Sequence, residues 1–319
     1  MNKHKLCVAP MFKYTDKHCR YFHRLLTKKA FLYTEMITTN ALLNKKFKLF
    51  KNKDSKKMVS LQIIGNKPKK IAKCAKLAYK KKYNEINLNI GCPSIQMNKN
   101  NLGVTLMKKT KIIVNSLKLI KNSIPIPISI KTRIGFNNNN TYNFLSNFVY
   151  ETSKDKLCKI FIIHARNAIL NKFSPKKNRE IPPLKYKYVY QLKKDFPNLT
   201  FIINGGIKSI KEIKNHLKNV NGVMLGRYAY KNPLILKKIE EKIFKKKKKI
   251  KIKKILFKIS KYINKEIKKK TTLNSITRHI NGIFYKKKNS KKWKKFLNEI
   301  NKKKKNVNIN LDFKKYLKY

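Results

Sequence analysis

The segment Thr200-Phe201-Ile202-Ile203-Asn204-Gly205-Gly206-Ile207-Lys208-Ser209-Ile210-Lys211-Glu212-Ile213-Lys214-Asn215-His216-Leu217-Lys218-Asn219-Val220-Asn221-Gly222-Val223-Met224-Leu225-Gly226-Arg227 reads as a strand, a helix and a second strand in direct succession. Residues 200–204 form a β-branched, apolar run, 209–217 are apolar at helical spacing, and 220–225 are apolar again. Each strand runs out into glycine, Gly205-Gly206 after the first and Gly226-Arg227 after the second. Glycines let backbone N–H groups approach an anion, and an arginine adds a two-pronged charge. A lone Gly-Gly is as readily a tight turn. Followed by Gly-Arg at the end of the next strand, it points to a phosphate-bearing cofactor.

Outward from this unit the same texture recurs. Apolar runs at 6–11, 32–37, 58–64, 85–90, 127–132 and 160–164 precede the two already described, and helix-period segments at 16–28, 67–81, 110–122, 142–153 and 185–196 lie between them. Eight strands in βα order predict an α/β fold of the closed parallel (β/α)8 TIM-barrel type. An open doubly wound sheet would carry a glycine-rich fingerprint after its first strand, and Ala9-Pro10-Met11 is not one. The barrel closes near Gly226-Arg227, and a helix starts around residue 233. Beyond the lysine run 245–249, a stripe from Ile252 to Ile267 repeats at helical spacing in a lysine-rich background. The expected organisation is a catalytic barrel over 1–242 and a small basic helical domain over 243–319. The stripe itself reads as a packing face with its lysines left outside.

Polar residues gather where the strands end: Gln62, Asn89 and Cys92, Lys131 and Arg133, His164 and Arg166, then the two glycine turns. In a barrel of this kind they share one rim, the rim that carries the chemistry. Cys92 follows a strand in Gly91-Cys92-Pro93-Ser94, where the proline holds the chain extended and turns the thiol toward the pocket. Position alone leaves it open between an inert cysteine and an acid, since an ordinary thiol is mostly protonated at neutral pH. His164 and Lys131, taken singly, are a strand-end hydrogen-bonding residue and one lysine among many.

The chain has 319 residues, and its 41% hydrophobic content is ample for a large core. No apolar run reaches membrane-span length and the N-terminus carries no secretory pattern, so cytoplasmic residence is expected. Five scattered cysteines, none spaced C-x-x-C, suggest neither a disulfide framework nor a metal site. The formal charge of +67 is that of a polyanion-binding protein. Lysine, asparagine and isoleucine are nevertheless enriched everywhere, as a biased genome composition would produce, so nucleic-acid binding has to be argued from particular residues.

Particular motifs do so. Ala9-Pro10-Met11-Phe12, residues 15–22, Tyr33-Thr34-Glu35-Met36, Ser60-Leu61-Gln62, residues 87–94, Lys131-Thr132-Arg133-Ile134-Gly135, His164-Ala165-Arg166, residues 174–184, Asn204-Gly205-Gly206-Ile207 and Gly226-Arg227 stand in unbroken order. Together they resemble the tRNA-dihydrouridine synthases, specifically the A subfamily. The resemblance spans roughly 6–240, with an echo at Thr277-Arg278-His279 and Trp293. It implies an FMN-bearing barrel with NADPH as reductant and tRNA as partner, a monomer with neither membrane nor metal. Pro10, Met11 and Phe12 would line the flavin, Gln62, Lys131 and His164 would bond its ring or ribityl chain, and Asn204, Gly205, Gly206, Gly226 and Arg227 would hold its phosphate. Cys92 would protonate C5 of a uracil that receives hydride at C6, after the base is flipped out of the tRNA D-loop at positions 20 and 20a. Asn89, Lys176, Arg179 and Arg278 match the pattern for tRNA contact. Two departures stand out: Ser275 where the subfamily has arginine, and asparagines in place of glycines at 98–101.

Two other functions fit parts of this pattern. A flavin barrel acting on a free pyrimidine shares the phosphate loops but gives no role to Lys176 and Arg179. A non-catalytic RNA-binding barrel leaves Cys92, Lys131 and His164 without purpose.

Overall fold

Among the described residues there are nine β-strands: β1 Leu6–Val8, β2 Phe31–Tyr33, β3 Ile37–Thr38, β4 Val59–Ile64, β5 Glu85–Ile90, β6 Ile128–Arg133, β7 Ile160–His164, β8 Thr200–Asn204 and β9 Gly222–Leu225. The computed structural model describes residues 3–44, 49, 58–245 and 251–302. Every pairing is parallel; β1 joins β9 on one side and β2 on the other, and β2 pairs with β4 to close the ring. Eight strands form the closed barrel, with helices between them. The short β3 pairs with the far end of β4.

The strand expected at 32–37 is therefore split, and the register shows why. Leu32 lies opposite Val59 but Ile37 lies opposite Ile63, so one extra residue sits in the second strand. Thr34 bridges the gap: its N–H donates to the Ser60 carbonyl, and its hydroxyl accepts from Gln62 N–H at 3.0 Å. The first strand also ends earlier than expected, at Val8, although Ala9 N–H still donates to the Leu225 carbonyl. The helices lie within a residue or two of their expected positions, from Lys17–Leu26 to Ile210–Leu217.

Side chains alternate in and out along each strand, and the barrel interior divides by chemistry. Cys7, Ala9, Phe31, Tyr33, Ile162, Ile202 and Met224 form one apolar cluster from β1, β2, β7, β8 and β9. On β4, β5 and β6 the corresponding positions are Ser60, Gln62, Glu85, Asn87 and Ser129, all buried. Half of the interior is thus polar and must satisfy its own hydrogen bonds.

The chain divides into two compact units, residues 1–12 with 31–226, and residues 13–30 with 227–319. The helical unit thus begins earlier than 243, and it includes the helix Lys17–Leu26 from the other end of the sequence. Packing, rather than the lysine run, marks the division; residues 246–249 of that run lie outside the described residues. Ile255, Leu256, Ile259 and Ile263 of the helix Ile252–Ile267 are buried while its lysines are exposed, the packing face expected of the stripe. No helix among the described residues is long and apolar enough to cross a membrane.

Asp16 holds this second unit together. Its side chain accepts from the N–H groups of His18 and Cys19 at 2.9 Å, capping Lys17–Leu26, and pairs with Arg278 at 2.7 Å and His279 at 3.0 Å. Burial alone would raise its pKa. The hydrogen bond and charge of His279, the Cys19 amide and Arg278 outweigh that and hold the carboxyl well below the usual range. Asp16→Ala removes the cap and the hydrogen-bond partner of Arg278 and His279, an expected loss of about 2–3 kcal/mol in urea unfolding at pH 7. Because the folded pKa is depressed, this stabilisation is present above the ordinary carboxylate pKa of ~3.9 and fades as pH falls through the folded value. The difference between wild type and variant should therefore stay constant near neutrality and shrink only in acid.

Candidate active site

Strand ends of the barrel unit carry the candidate residues. Asn89, inward-facing on β5, accepts from the N–H groups of Gly91 and Cys92, both at 3.1 Å, which ties the cysteine turn to the strand before it. Gly103 closes over the same turn with φ +70°, and a side chain there would press on the Cys92 carbonyl at 2.5 Å. The Cys92 carbonyl accepts from Val104 N–H at 3.1 Å. The turn is fixed from both sides, and the asparagines at 98–101 are accommodated without glycine, Asn101 itself lying at φ 51°.

Of the five cysteines, Cys92 alone is partly accessible; the other four are buried. Burial pushes its thiol pKa up, and the Ser94 amide with the charges of Arg133, Arg179 and Lys131 pull part of the way back. The sulfur is held as a protonated thiol at neutral pH.

Around it stands a cationic rim. Lys131 donates to Asn204 Oδ1 at 3.2 Å, and Asn204 in turn donates to the Met224 carbonyl at 2.8 Å, joining β6, β8 and β9. Burial, then the neighbouring Arg133, lowers Lys131 to about 7. His164 is kept well below the usual histidine range by burial and by Arg133, Lys131 and Arg166, and so is neutral. Its Nδ1 is buried and without a hydrogen-bond partner, a polar atom that calls for a ligand. Gly205 and Gly206 both adopt positive φ, and a side chain on either would strike Leu184. The Tyr186 hydroxyl donates to the Gly205 carbonyl at 2.6 Å and holds the turn.

Gln62 is fully enclosed, accepting from Asn89 Nδ2 at 3.0 Å and donating to Asn87 Oδ1 at 2.7 Å. It lies below the rim rather than on it. Pro10 and Met11 are half-buried and Phe12 is 59% exposed. Gly226 follows β9, and a Cβ there would make only ordinary contact with Ala9. Arg227 opens the helix Arg227–Lys231 in the second unit. Lys176 and Arg179 are exposed on the loop after β7. Arg278 lies in the helical unit, paired with Asp16.

Arg133, placed on the rim from sequence, and Asn178, given no individual role there, brace the Cys92 turn. Arg133 donates through Nε to the Gly91 carbonyl at 3.1 Å and through Nη1 to the carbonyls of Asn167 and Asn178 at 2.9 and 3.0 Å. Asn178 accepts from Ile169 N–H at 2.7 Å and donates to the Phe173 carbonyl at 2.8 Å. One guanidinium therefore staples the Cys92 turn to the loop that bears Lys176 and Arg179. Its signal was available: Ser129, Lys131 and Arg133 alternate on one inward face.

This constellation has what reduction of a conjugated double bond beside a bound redox cofactor requires. There is a partly accessible thiol, a group of cationic side chains, a neutral imidazole with an unpaired buried nitrogen, and a positive-φ Gly205-Gly206 turn. Residues 7–318 match the dihydrouridine synthase (Dus) family. The tRNA-dihydrouridine(20/20a) synthase of Yersinia pestis is 48% identical over 240 residues, covering 75% of this chain and 70% of that protein. Its namesake from Vibrio vulnificus (strain CMCP6) is 47% identical over 240 residues, covering 75% and 74%. That of Escherichia coli (strain K12) is 48% identical over 240 residues, covering 75% and 70%. Among solved structures, histamine dehydrogenase from Rhizobium sp. 4-9 aligns with a TM-score of 0.53 at 11% identity over 74% of this chain and 45% of that one. The 2-naphthoyl-CoA reductase complex with 2-naphthoyl-CoA gives 0.54 at 9% identity over 74% and 50%. At these identities the likeness to the two structures is one of fold. The family match and the near-half identity to three synthases lead to one assignment: the chain belongs to the dihydrouridine synthase family.

Proposed function

We propose that this protein reduces uridine to 5,6-dihydrouridine in the D-loop of tRNA, at positions 20 and 20a, using FMN reduced by NADPH. The observation that carries the reading is Cys92, the only cysteine outside the core, protonated at a cationic rim within electrostatic reach of Lys131, Arg133 and Arg179. An acid for carbon needs its proton at working pH, and burial keeps it there.

The residues fit FMN. His164 Nδ1 is a buried atom without a hydrogen-bond partner, Arg133 supplies positive charge with Lys131 partly charged at neutral pH, and the Gly205-Gly206 turn has positive φ at both residues. When bound, FMN supplies the hydride that reaches C6 of the uracil. Lys131 and His164 hold its ring or ribityl chain, with Gln62 beneath, and Pro10, Met11 and Phe12 line it. Asn204, Gly205, Gly206 and Gly226 take its phosphate, with Arg227, next in sequence, assigned to the same anion. Cys92 gives its S–H proton to C5 from the opposite face of the flipped base, and Asn89 meets the base at the pocket mouth. Lys176, Arg179 and Arg278 contact the tRNA backbone. The enzyme acts as a monomer in the cytoplasm.

Purified protein should show a yellow flavin spectrum, oxidise NADPH faster when unmodified tRNA is added, and leave dihydrouridine at positions 20 and 20a. Turnover on free pyrimidines without tRNA stimulation, or tRNA binding without flavin, would replace this reading. Arg179→Ala should weaken tRNA binding and lower the slope of log K against log salt by about one unit, as loss of one phosphate contact requires. Filter binding across a salt series measures it.

A further inference from the structure

The polar half of the barrel interior holds one continuous series of hydrogen bonds. From the rim downward, Gly91 and Cys92 N–H donate to Asn89 Oδ1 at 3.1 Å, and Asn89 Nδ2 donates to Gln62 Oε1 at 3.0 Å. Gln62 Nε2 donates to Asn87 Oδ1 at 2.7 Å, and Asn87 Nδ2 donates to Ser129 Oγ at 2.7 Å. The Ser129 hydroxyl donates to Glu85 Oε1 at 2.6 Å, and Glu85 Oε2 meets His4 Nε2 at 2.7 Å. Every donor points the same way, from the cysteine turn to a carboxylate at the opposite end of β5.

Amide side chains can run such a series in either direction, because each carries both a donor and an acceptor. Only its ends decide. At the rim the ends are two backbone N–H groups, which can only donate; at the bottom it is Glu85, which when ionised can only accept. Bonds aligned in series polarise one another in a low-dielectric interior. A buried carboxylate is costly unless its bonds are made, and Glu85 is 1% exposed, with the Tyr33 hydroxyl and Cys7 thiol within its electrostatic reach.

We propose that Glu85 is a positioning residue for Cys92: it sets the direction of the internal hydrogen-bond series, and through Asn87, Gln62 and Asn89 it fixes the turn that presents the thiol. The inference rests on the assignment of Cys92 as the acid. It separates direction from charge. In Glu85→Gln the new carbonyl still accepts from Ser129, while its NH2 donates to the Nε2 lone pair of the other His4 tautomer, so the series survives without the charge. Glu85→Leu removes the acceptor, and Ser129→Ala cuts the series while leaving the carboxylate with His4.

The test uses folded, full-length wild type, Glu85→Gln, Glu85→Leu and Ser129→Ala. Cys92 alkylation by iodoacetamide is followed in protein free of flavin, where the four other cysteines are buried. Flavin reduction by NADPH and single-turnover reduction of tRNA uridine are then measured separately. Glu85→Leu and Ser129→Ala should speed alkylation about threefold or more and slow uridine reduction about tenfold or more, since small displacements of a reacting group are costly. Both should leave flavin reduction within about twofold, and Glu85→Gln should match wild type throughout. If Glu85→Leu fails to fold, Ser129→Ala carries the comparison. Unchanged alkylation and uridine reduction in the folded variants, or an equal fall in both half-reactions, overturns the proposal. A wild-type protein that forms no dihydrouridine defeats the proposed function instead, and the alkylation comparison still tests the positioning.

Discussion

Cys92→Ala should keep flavin and tRNA binding while dihydrouridine formation falls by about 10²–10⁴-fold, the usual worth of a positioned proton donor. The backbone of the turn is set by Asn89, Arg133 and the Gly103 loop, so loss of the sulfur leaves its frame intact. NADPH oxidation without tRNA should be little changed, because the thiol has no part in it. Mass spectrometry of uridine and dihydrouridine in the tRNA product measures the effect; a variant that turns over at the wild-type rate rules out the acid role. The pH dependence has a definite sign. The thiol pKa is raised, so the acid form persists above the ordinary thiol value, and the uridine-reduction rate should hold through neutrality and fall as pH climbs through the raised value. Cys92→Ser, with a far weaker acid, should lose that alkaline limb along with most of its rate.

Trp293→Ala should destabilise the helical unit by about 3–5 kcal/mol. The indole is fully buried, its N–H donates to the Ile280 carbonyl at 3.0 Å, and its ring centroid lies 5.3 Å from Phe284 and 5.6 Å from Phe296. Truncation to alanine leaves a large cavity and removes the indole's hydrogen bond, the Ile280 carbonyl keeping the one from Ile283 N–H. Trp293→Phe keeps most of the apolar volume and should cost about half as much. Denaturant unfolding followed by circular dichroism gives both values; a loss under about 1 kcal/mol for the alanine variant would contradict the packing. Since this is the only tryptophan in the chain, its own emission, excited selectively over tyrosine, reports on the helical unit.

Barrel order was legible because each strand, buried on both faces, reads as an apolar run, and the βα alternation survives even in a lysine-rich composition. Eight strands were expected and eight close the ring. Bounds failed where local bonding overrode pattern: the extra residue at Thr34 splits an apolar stretch that reads as one strand, and β1 ends at Val8, three residues before the expected end, ahead of Pro10, which has no N–H to extend the ladder. Cys92, Lys131, His164 and Asn204 could be placed at strand ends from the sequence because a barrel fixes the end of each strand where the chemistry lies. Glu85 and His4 were not singled out, and Arg133 was placed on the rim without its partners, because an isolated charged residue gives no sign of which buried group satisfies it. The unit boundary was missed for the same reason: Asp16 and Arg278 are 262 positions apart, and no local pattern joins them.

That separation bears on how the protein is made. Residues 13–30 leave the ribosome well before the segment they belong with, 227–319. At roughly 5–20 residues per second the nascent helix Lys17–Leu26 waits ten seconds or more with its Phe22 and Leu26 unburied. A protein synthesised only as far as residue 226 would carry that orphan permanently, so cutting the gene at the barrel's last strand should yield an aggregation-prone fragment rather than a free-standing enzyme core.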